Sequence, residues 1–156
     1  MDATTDLEIR KAARTDLPAI IALFAADSVG GHDDTTATEA FSDYLAAFER
    51  IEASELQTLY VARLGDDVVG TFQTTLLTSL PGRGQPRLLV EAVQTREDAR
   101  GRGIGERMML YAIERARERG AAKVQLSSNA TRAAAHRFYE RLGFVRSHFG
   151  FHMPLK

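Results

Sequence analysis

The sequence predicts a mixed α/β domain, a mostly antiparallel sheet with helices on both faces, and three observations carry that prediction. Stretches with the two-residue alternation of strands are interspersed with segments whose apolar residues recur every three or four positions, as on a helix. Gly65-Asp66-Asp67 joins two of the strand-like stretches with the chemistry of a hairpin turn. The order is a strand, two helices, a meander of strands, then helix, strand, helix, strand, which puts helices on both faces of one sheet.

Residues 7–12 read as a short first strand. Asp16 as N-cap and Pro18 in the first turn then start a helix that runs to about Asp27. Residues 28–36 are loop. A second helix over residues 37–53 sets Phe41, Leu45 and Phe48 on one face at spacings of four and three, a packing stripe. Residues 59–64 and 68–77 form the hairpin, and a loop over residues 79–87, with two prolines and two glycines, ends its second arm. In the next strand, residues 88–95, alternation puts Leu89, Glu91 and Val93 on one face, so Glu91 is a carboxylate on a mostly apolar strand. The helix over residues 104–119 carries Ile104, Met108, Ala112 and Ala116 at four-residue spacing and stops at Gly120; its methionines read as core. Residues 124–128 are a strand, residues 132–142 a helix closed by Gly143, and residues 145–155 a final strand. No repeat, low-complexity segment or linker interrupts the chain, which reads as one domain over residues 1–156.

With 156 residues, 44% of them apolar, the chain has enough material for a real core. No apolar run approaches the roughly 20 residues needed to cross a bilayer, and the polar start lacks the pattern of a signal peptide, so a soluble cytoplasmic protein with no membrane partner is expected. The absence of cysteine excludes disulfides, thiolate metal sites and a cysteine nucleophile. Charge is unevenly spread: residues 1–80 hold 5 basic and 14 acidic side chains, residues 81–156 hold 15 and 7. That asymmetry suits a second half that grips an anionic cofactor and a first half offered to a cationic partner, or simply two solvated faces. A nucleic-acid partner is not expected, because the arginines are interleaved with Glu106, Glu114, Glu118 and Glu140.

The most informative stretch is Arg100-Gly101-Arg102-Gly103-Ile104-Gly105, between a strand and a helix. Alternate glycines let the backbone turn so that successive amides converge where a helix begins, and the helix dipole with Arg100, Arg102 and Arg107 favours a pyrophosphate there. A dinucleotide fingerprint starting at Gly101 fails at Glu106, and no Gly-Lys-Ser/Thr follows any glycine, so phosphate-cleaving loops are excluded. A second stretch is Ser127-Ser128-Asn129, followed by Ala134-Ala135-His136-Arg137-Phe138-Tyr139-Glu140-Arg141-Leu142-Gly143-Phe144.

Together these stretches resemble the GNAT superfamily of N-acetyltransferases over nearly the whole chain. The resemblance implies the GNAT fold, with splayed central strands, and acetyl-coenzyme A as cosubstrate. The pyrophosphate would lie against residues 100–105 and the pantetheine arm along Asn129, Ala134 and Phe138. A bulged strand would expose backbone donors at Val93, Gln94 and Thr95 to the thioester carbonyl. Tyr139 is implied as the acid that protonates the leaving thiolate; a phenol of pKa about 10 is protonated at neutral pH and can serve a thiol near 8.5. The alternative for Tyr139 is a purely core role. Direct transfer to an amine follows, since no activated nucleophile is visible. Glu91 stands where relatives carry acidic residues and is the candidate base, assisted by a water or by burial; its alternative is a structural ion pair with an arginine. Ala92 replaces a second acid common in the family, and Glu97 stands where proline is common.

The tail around Arg146-Ser147-His148-Phe149-Gly150-Phe151 is similar to aminoalkylphosphonate and tabtoxin-resistance acetyltransferases, which act on small amino compounds. It assigns His148, with His32 and Glu91, to the acceptor site, although an isolated histidine also fits a packed or surface position. His152 replaces a lysine common in relatives. Gly30-Gly31-His32-Asp33-Asp34 would flank the acceptor entrance as a solvated turn; some phosphonate-acetylating relatives use a divalent metal, and no metal ligand is assigned. The expected reaction is acetylation of a small primary amine by a homodimer. The alternatives are a protein or peptide N-acetyltransferase and a non-catalytic acyl-coenzyme-A-binding module.

Overall fold

A computed structural model describes residues 6–27 and 33–156. Its elements are β1 Leu7–Lys11, α1 Leu17–Ala25, α2 Phe41–Ala53, β2 Gln57–Leu64, β3 Asp67–Leu77, β4 Arg87–Thr95, α3 Ile104–Glu118, β5 Lys123–Leu126 and α4 Ala133–Arg141, with single 3-10 turns ahead of α1, α2 and α3. The chain forms two compact units, Met1–Gln125 and Leu126–Lys156.

The first unit is built on a sheet of order β1-β2-β3-β4-β5. β1 to β4 pair antiparallel, and β5 follows a helical crossover, the connection that parallel neighbours require. Leu64 faces Asp67 across the hairpin, which leaves Gly65 and Asp66 as a two-residue turn, with Gly65 at φ 60° where a side chain is disfavoured.

Alternation along β2 sends Leu59 and Val61 to one face, where they pack with Ile20 and Ile21 of α1 and Phe48 of α2. Tyr60 points to the other face and stacks on Phe72 at 4.8 Å; Tyr111 of α3 meets both rings edge-on. The expected helices on both faces are therefore present. Gly70 lets α3 come close: a Cβ there would lie 2.8 Å from Met108 Sδ and 3.3 Å from the Gln94 carbonyl. The methionines at 108 and 109 are fully buried, as their spacing predicts.

Within the first unit, Asp16 and Phe41 depart from the sequence reading. Asp16 occupies the N-cap position of α1 but makes no capping bond. Its buried carboxylate turns back instead, accepting from the Ala13 amide at 2.8 Å and from two Arg10 nitrogens at 2.8 and 3.3 Å. Burial raises its pKa, but the Arg10 bond, the Ala13 amide and the charges of Arg10 and Arg63 outweigh burial and hold it below the ordinary value. Phe41, expected in the α2 packing stripe, is exposed, while Phe48, two helical turns later, is buried.

The second unit holds α4, which ends as expected: Gly143 adopts φ 104° and the Phe144 amide donates to the Tyr139 carbonyl at 3.0 Å. The final strand predicted over residues 145–155 does not form. Among the described residues no strand follows Leu126. Val145, Phe149, Phe151, Met153 and Leu155 are 83, 90, 96, 81 and 90% exposed. Alternation specifies a one-sided strand but not a neighbour, and without a ladder partner the backbone bonds that define a strand are unmade.

Candidate active site

In the Met1–Gln125 unit the residues assigned to the coenzyme begin in β4. Thr71 faces Gln94 and Gln73 faces Glu91, so two steps along β3 correspond to three along β4. The extra residue is a bulge, and Ala92 sits in it at φ 55°. This is the segment for which the resemblance implies freed backbone donors. The bulge also corrects the expected face, because an inserted residue shifts the alternation: Glu91 and Ala92 are both exposed in succession, while Val93, Gln94 and Thr95 are all half-buried. Glu91 therefore stands in solvent beside the bulge. No ion pair with an arginine is formed by Glu91 among the described residues.

The loop follows directly. A 3-10 turn over Glu97–Ala99 drops the chain from the sheet, and the Arg100 Nε reaches back to the Thr95 carbonyl at 3.3 Å. Gly101 and Gly103 adopt φ 80° and 78°, which only glycine takes without strain, although a Cβ would meet nothing within 4 Å at either position. Left-handed Gly103 is the N-cap of α3, with no side-chain cap. Its carbonyl receives the Arg107 amide at 3.0 Å, so the amides of Ile104, Gly105 and Glu106 precede any intrahelical acceptor. Arg100, Gly101, Arg102 and Gly103 are exposed and Gly105 is half-exposed. Ile104 differs: its side chain is buried in the core, so only its backbone is available to a cofactor. Arg107 reaches towards the Leu7 carbonyl at 3.5 Å.

The remaining residues that the resemblance assigns to the coenzyme and its chemistry belong to the Leu126–Lys156 unit. Asn129 is exposed, and its side-chain oxygen already accepts from the Thr131 amide at 2.9 Å and hydroxyl at 2.7 Å. That leaves its NH₂ as the group able to reach a ligand. The Asn129 carbonyl accepts from the Arg132 amide and lies 2.8 Å from His136 Nε2. A carbonyl cannot donate, so that ring nitrogen carries the proton. Ala134 is exposed, while Phe138 and Tyr139 are half-buried and in ring contact, and Tyr139 also meets Phe144 edge-on. Burial pushes the Tyr139 phenol above its ordinary pKa, against a smaller opposing pull from Arg132. The group thus holds its proton across the neutral range, as an acid must. His148 is exposed and paired with Ser147 Oγ at 2.6 Å.

His32 lies outside the described residues. Its neighbour Asp34 is not a bare solvated turn residue: the Tyr44 hydroxyl donates to Asp34 Oδ1 at 2.7 Å and accepts from the Thr35 amide at 3.2 Å. Burial and Asp34 raise the Tyr44 pKa, while the Thr35 amide opposes them. Sequence reasoning missed Tyr44, Asp27 and His136. Asp27 accepts from Gln94 Nε2 at 2.8 Å, tying the end of α1 to the bulged strand across 67 positions, and nothing local in the sequence signals it. The signal for His136 was available, since it stands one helical turn into α4 where its ring can close the turn begun at Asn129.

No helix among the described residues is long and apolar enough to cross a membrane. The acetyltransferase (GNAT) family model matches residues 17–144, a span that runs through both units. A 52-residue stretch is 48% identical to the aminoalkylphosphonate N-acetyltransferase of Salmonella typhimurium, covering 33% of this chain and 34% of that protein. The chain thus matches about a third of the length of that curated relative. The crystal structure of a transcriptional regulator from Bacillus halodurans C-125 superposes with a TM-score of 0.92 at 37% identity, over 96% of this chain and 99% of that one. A putative acetyltransferase from Agrobacterium tumefaciens str. C58 superposes with a TM-score of 0.82 at 30% identity, over 94% and 99%. The bulged strand running into a left-handed glycine cap is thus matched by relatedness across nearly the full chain, and the protein belongs to the acetyltransferase (GNAT) family.

Proposed function

We propose that this protein transfers the acetyl group of acetyl-coenzyme A directly to the primary amine of a small molecule, an amino acid, an aminophosphonate or a similar amine, and works as a homodimer. The observation that carries the reading is the Ala92 bulge in β4 leading into the glycine loop that caps α3. The loop supplies unpaired amides and Arg100 and Arg102 for a pyrophosphate. Backbone donors at residues 93–95 polarise the thioester carbonyl, and Asn129, Ala134 and Phe138 seat the pantetheine arm.

The amine nitrogen attacks the carbonyl carbon, a C–N bond forms and the C–S bond breaks. Tyr139 gives its proton to the departing sulfur. The proton lost from nitrogen goes through water to Glu91. His148 and His32 contact the acceptor. The stretch of high identity to an aminoalkylphosphonate N-acetyltransferase supports a small amine carrying an acidic group.

The test is thiol release from acetyl-coenzyme A across aminoalkylphosphonates, amino acids, polyamines and short peptides, with and without divalent metal. Tyr139→Phe should lower kcat by about 10²–10⁴-fold with coenzyme affinity retained. Unchanged turnover in that variant would remove Tyr139 from the mechanism. A second reading is a coenzyme-binding module without turnover, since a fold by itself does not establish turnover. Coenzyme binding with no thiol release on any amine would favour it.

A further inference from the structure

The bulge in β4 needs something to hold it. Ala92 sits there at φ 55°, a left-handed conformation that disfavours any residue but glycine, and such strain persists only where the surroundings over-determine it. Strand pairing alone does not do so. With Gln73 opposite Glu91, an unbulged β4 would set Val93 opposite Thr71, and only the inserted residue brings Gln94 to that place.

The face of the sheet decides what Gln94 meets there. Thr71 is opposite Val61 of β2, and Gln73 is opposite Leu59. Leu59 and Val61 pack with α1 and α2, and residues opposite one another on a ladder point to the same face. Gln94 and Glu91 therefore share the face that carries α1. Asp27 lies just beyond the end of α1, where its amide donates to the Phe24 carbonyl at 3.1 Å, and its Oδ2 accepts from Gln94 Nε2 at 2.8 Å. The helix behind it is anchored by Ile20 and Ile21, both buried. A slip of one residue would turn Gln94 to the α3 face and bring Val93 to the half-buried carboxylate. Asp27 would then exchange a charge-assisted hydrogen bond for an apolar neighbour.

We infer that Asp27 is a positioning residue for acetyl transfer: through the Gln94 side chain it locks β4 in its bulged register and so fixes the backbone donors at residues 93–95 towards the thioester carbonyl. The inference rests on the proposed function for the reaction those donors serve; the lock itself lies wholly within the first unit. Asp27 acts through Gln94 and not on the amine, so what it supplies is a hydrogen-bonding oxygen rather than a negative charge.

Three variants separate these contributions. Asp27→Ala removes the oxygen, Gln94→Met removes the donor from a side chain of similar length, and Asp27→Asn keeps an oxygen for Gln94 while losing the charge. The first readout is hydrogen exchange of the Arg96 amide, which donates to the Val69 carbonyl at 2.7 Å just after the bulge and is protected while the register holds. Its exchange should quicken about 10-fold or more in Asp27→Ala and Gln94→Met, and stay within about 3-fold of wild type in Asp27→Asn. In thiol release the first two variants should lose about 100-fold in kcat with KM for acetyl-coenzyme A nearly unchanged, because the donors act in the transition state. Asp27→Asn should recover most of that loss, and the Asp27→Ala/Gln94→Met double variant should be about as slow as either single one. Unaltered Arg96 exchange in Asp27→Ala would overturn the lock. An Asp27→Asn variant as slow as Asp27→Ala would overturn the positioning role in favour of a carboxylate acting on the substrate. No thiol release by wild type on any amine would overturn the proposed acetyl transfer, and Arg96 exchange would still decide the lock.

Discussion

Met1–Gln125 closes around its own core, and Leu126–Lys156 does not. Among the described residues, all the buried ones fall between Leu7 and Ala116, and none from 117 onward is buried. The second unit is not polar for that reason: Phe138, Tyr139, Leu142 and Phe144 lie half-exposed around α4, and the tail beyond is apolar at alternate positions. The first unit solves its packing internally, through stripes on both sheet faces. The second presents apolar and aromatic groups at its surface, and in the proposed function the coenzyme arm lies along one of them, Phe138.

Substitutions can break or sharpen this contrast. The largest effect belongs at the centre of the first unit: Phe72→Ala, which empties a fully buried ring site between Tyr60 and Tyr111, should cost about 3–5 kcal/mol in chemical denaturation. Gly70→Ala should cost about 1–3 kcal/mol by the same measurement, since its Cβ must displace buried Met108.

Asp16→Asn should cost about 1–3 kcal/mol at neutral pH, because Arg10 loses a charged partner. The sign of its pH dependence follows from the lowered pKa. The stabilisation is present above the ordinary carboxylate value near 3.9 and is lost as pH falls through the lower folded value, so acid unfolding curves of wild type and variant should converge there. The smallest effect belongs in the tail. With the chain diluted to monomers, Phe151→Ala should change stability by less than about 0.5 kcal/mol. A loss comparable to that of Phe72→Ala would show that the tail is buried within its own chain, and the contrast would fail.

Much of the first unit was legible in the sequence because its signals are local. The turn at Gly65-Asp66, the methionine stripe of α3 and the glycines at 101 and 103 each state a backbone or packing requirement within a few residues. The same holds for the end of α4 at Gly143. What was not legible is what depends on distant partners. Asp16 looks like a cap until Arg10 and the Ala13 amide compete for its carboxylate. Leu89, Glu91 and Val93 share a face only until the bulge at Ala92 shifts the alternation, and Gln94 meets Asp27 across 67 positions of chain.

The tail shows the boundary most clearly. Its alternation is a property of the sequence, and it predicted a strand that the structure does not form. Whether that segment is a strand depends on a neighbour's amides and carbonyls. The sequence by itself determined the family signature, the two-faced sheet and the glycine cap of α3, because each follows from residue type and spacing along a short stretch. Only the tertiary structure decided the bulge at Ala92, the solvent exposure of Glu91 and the uncovered tail, because hydrogen-bond register and burial are set by residues far apart in the chain.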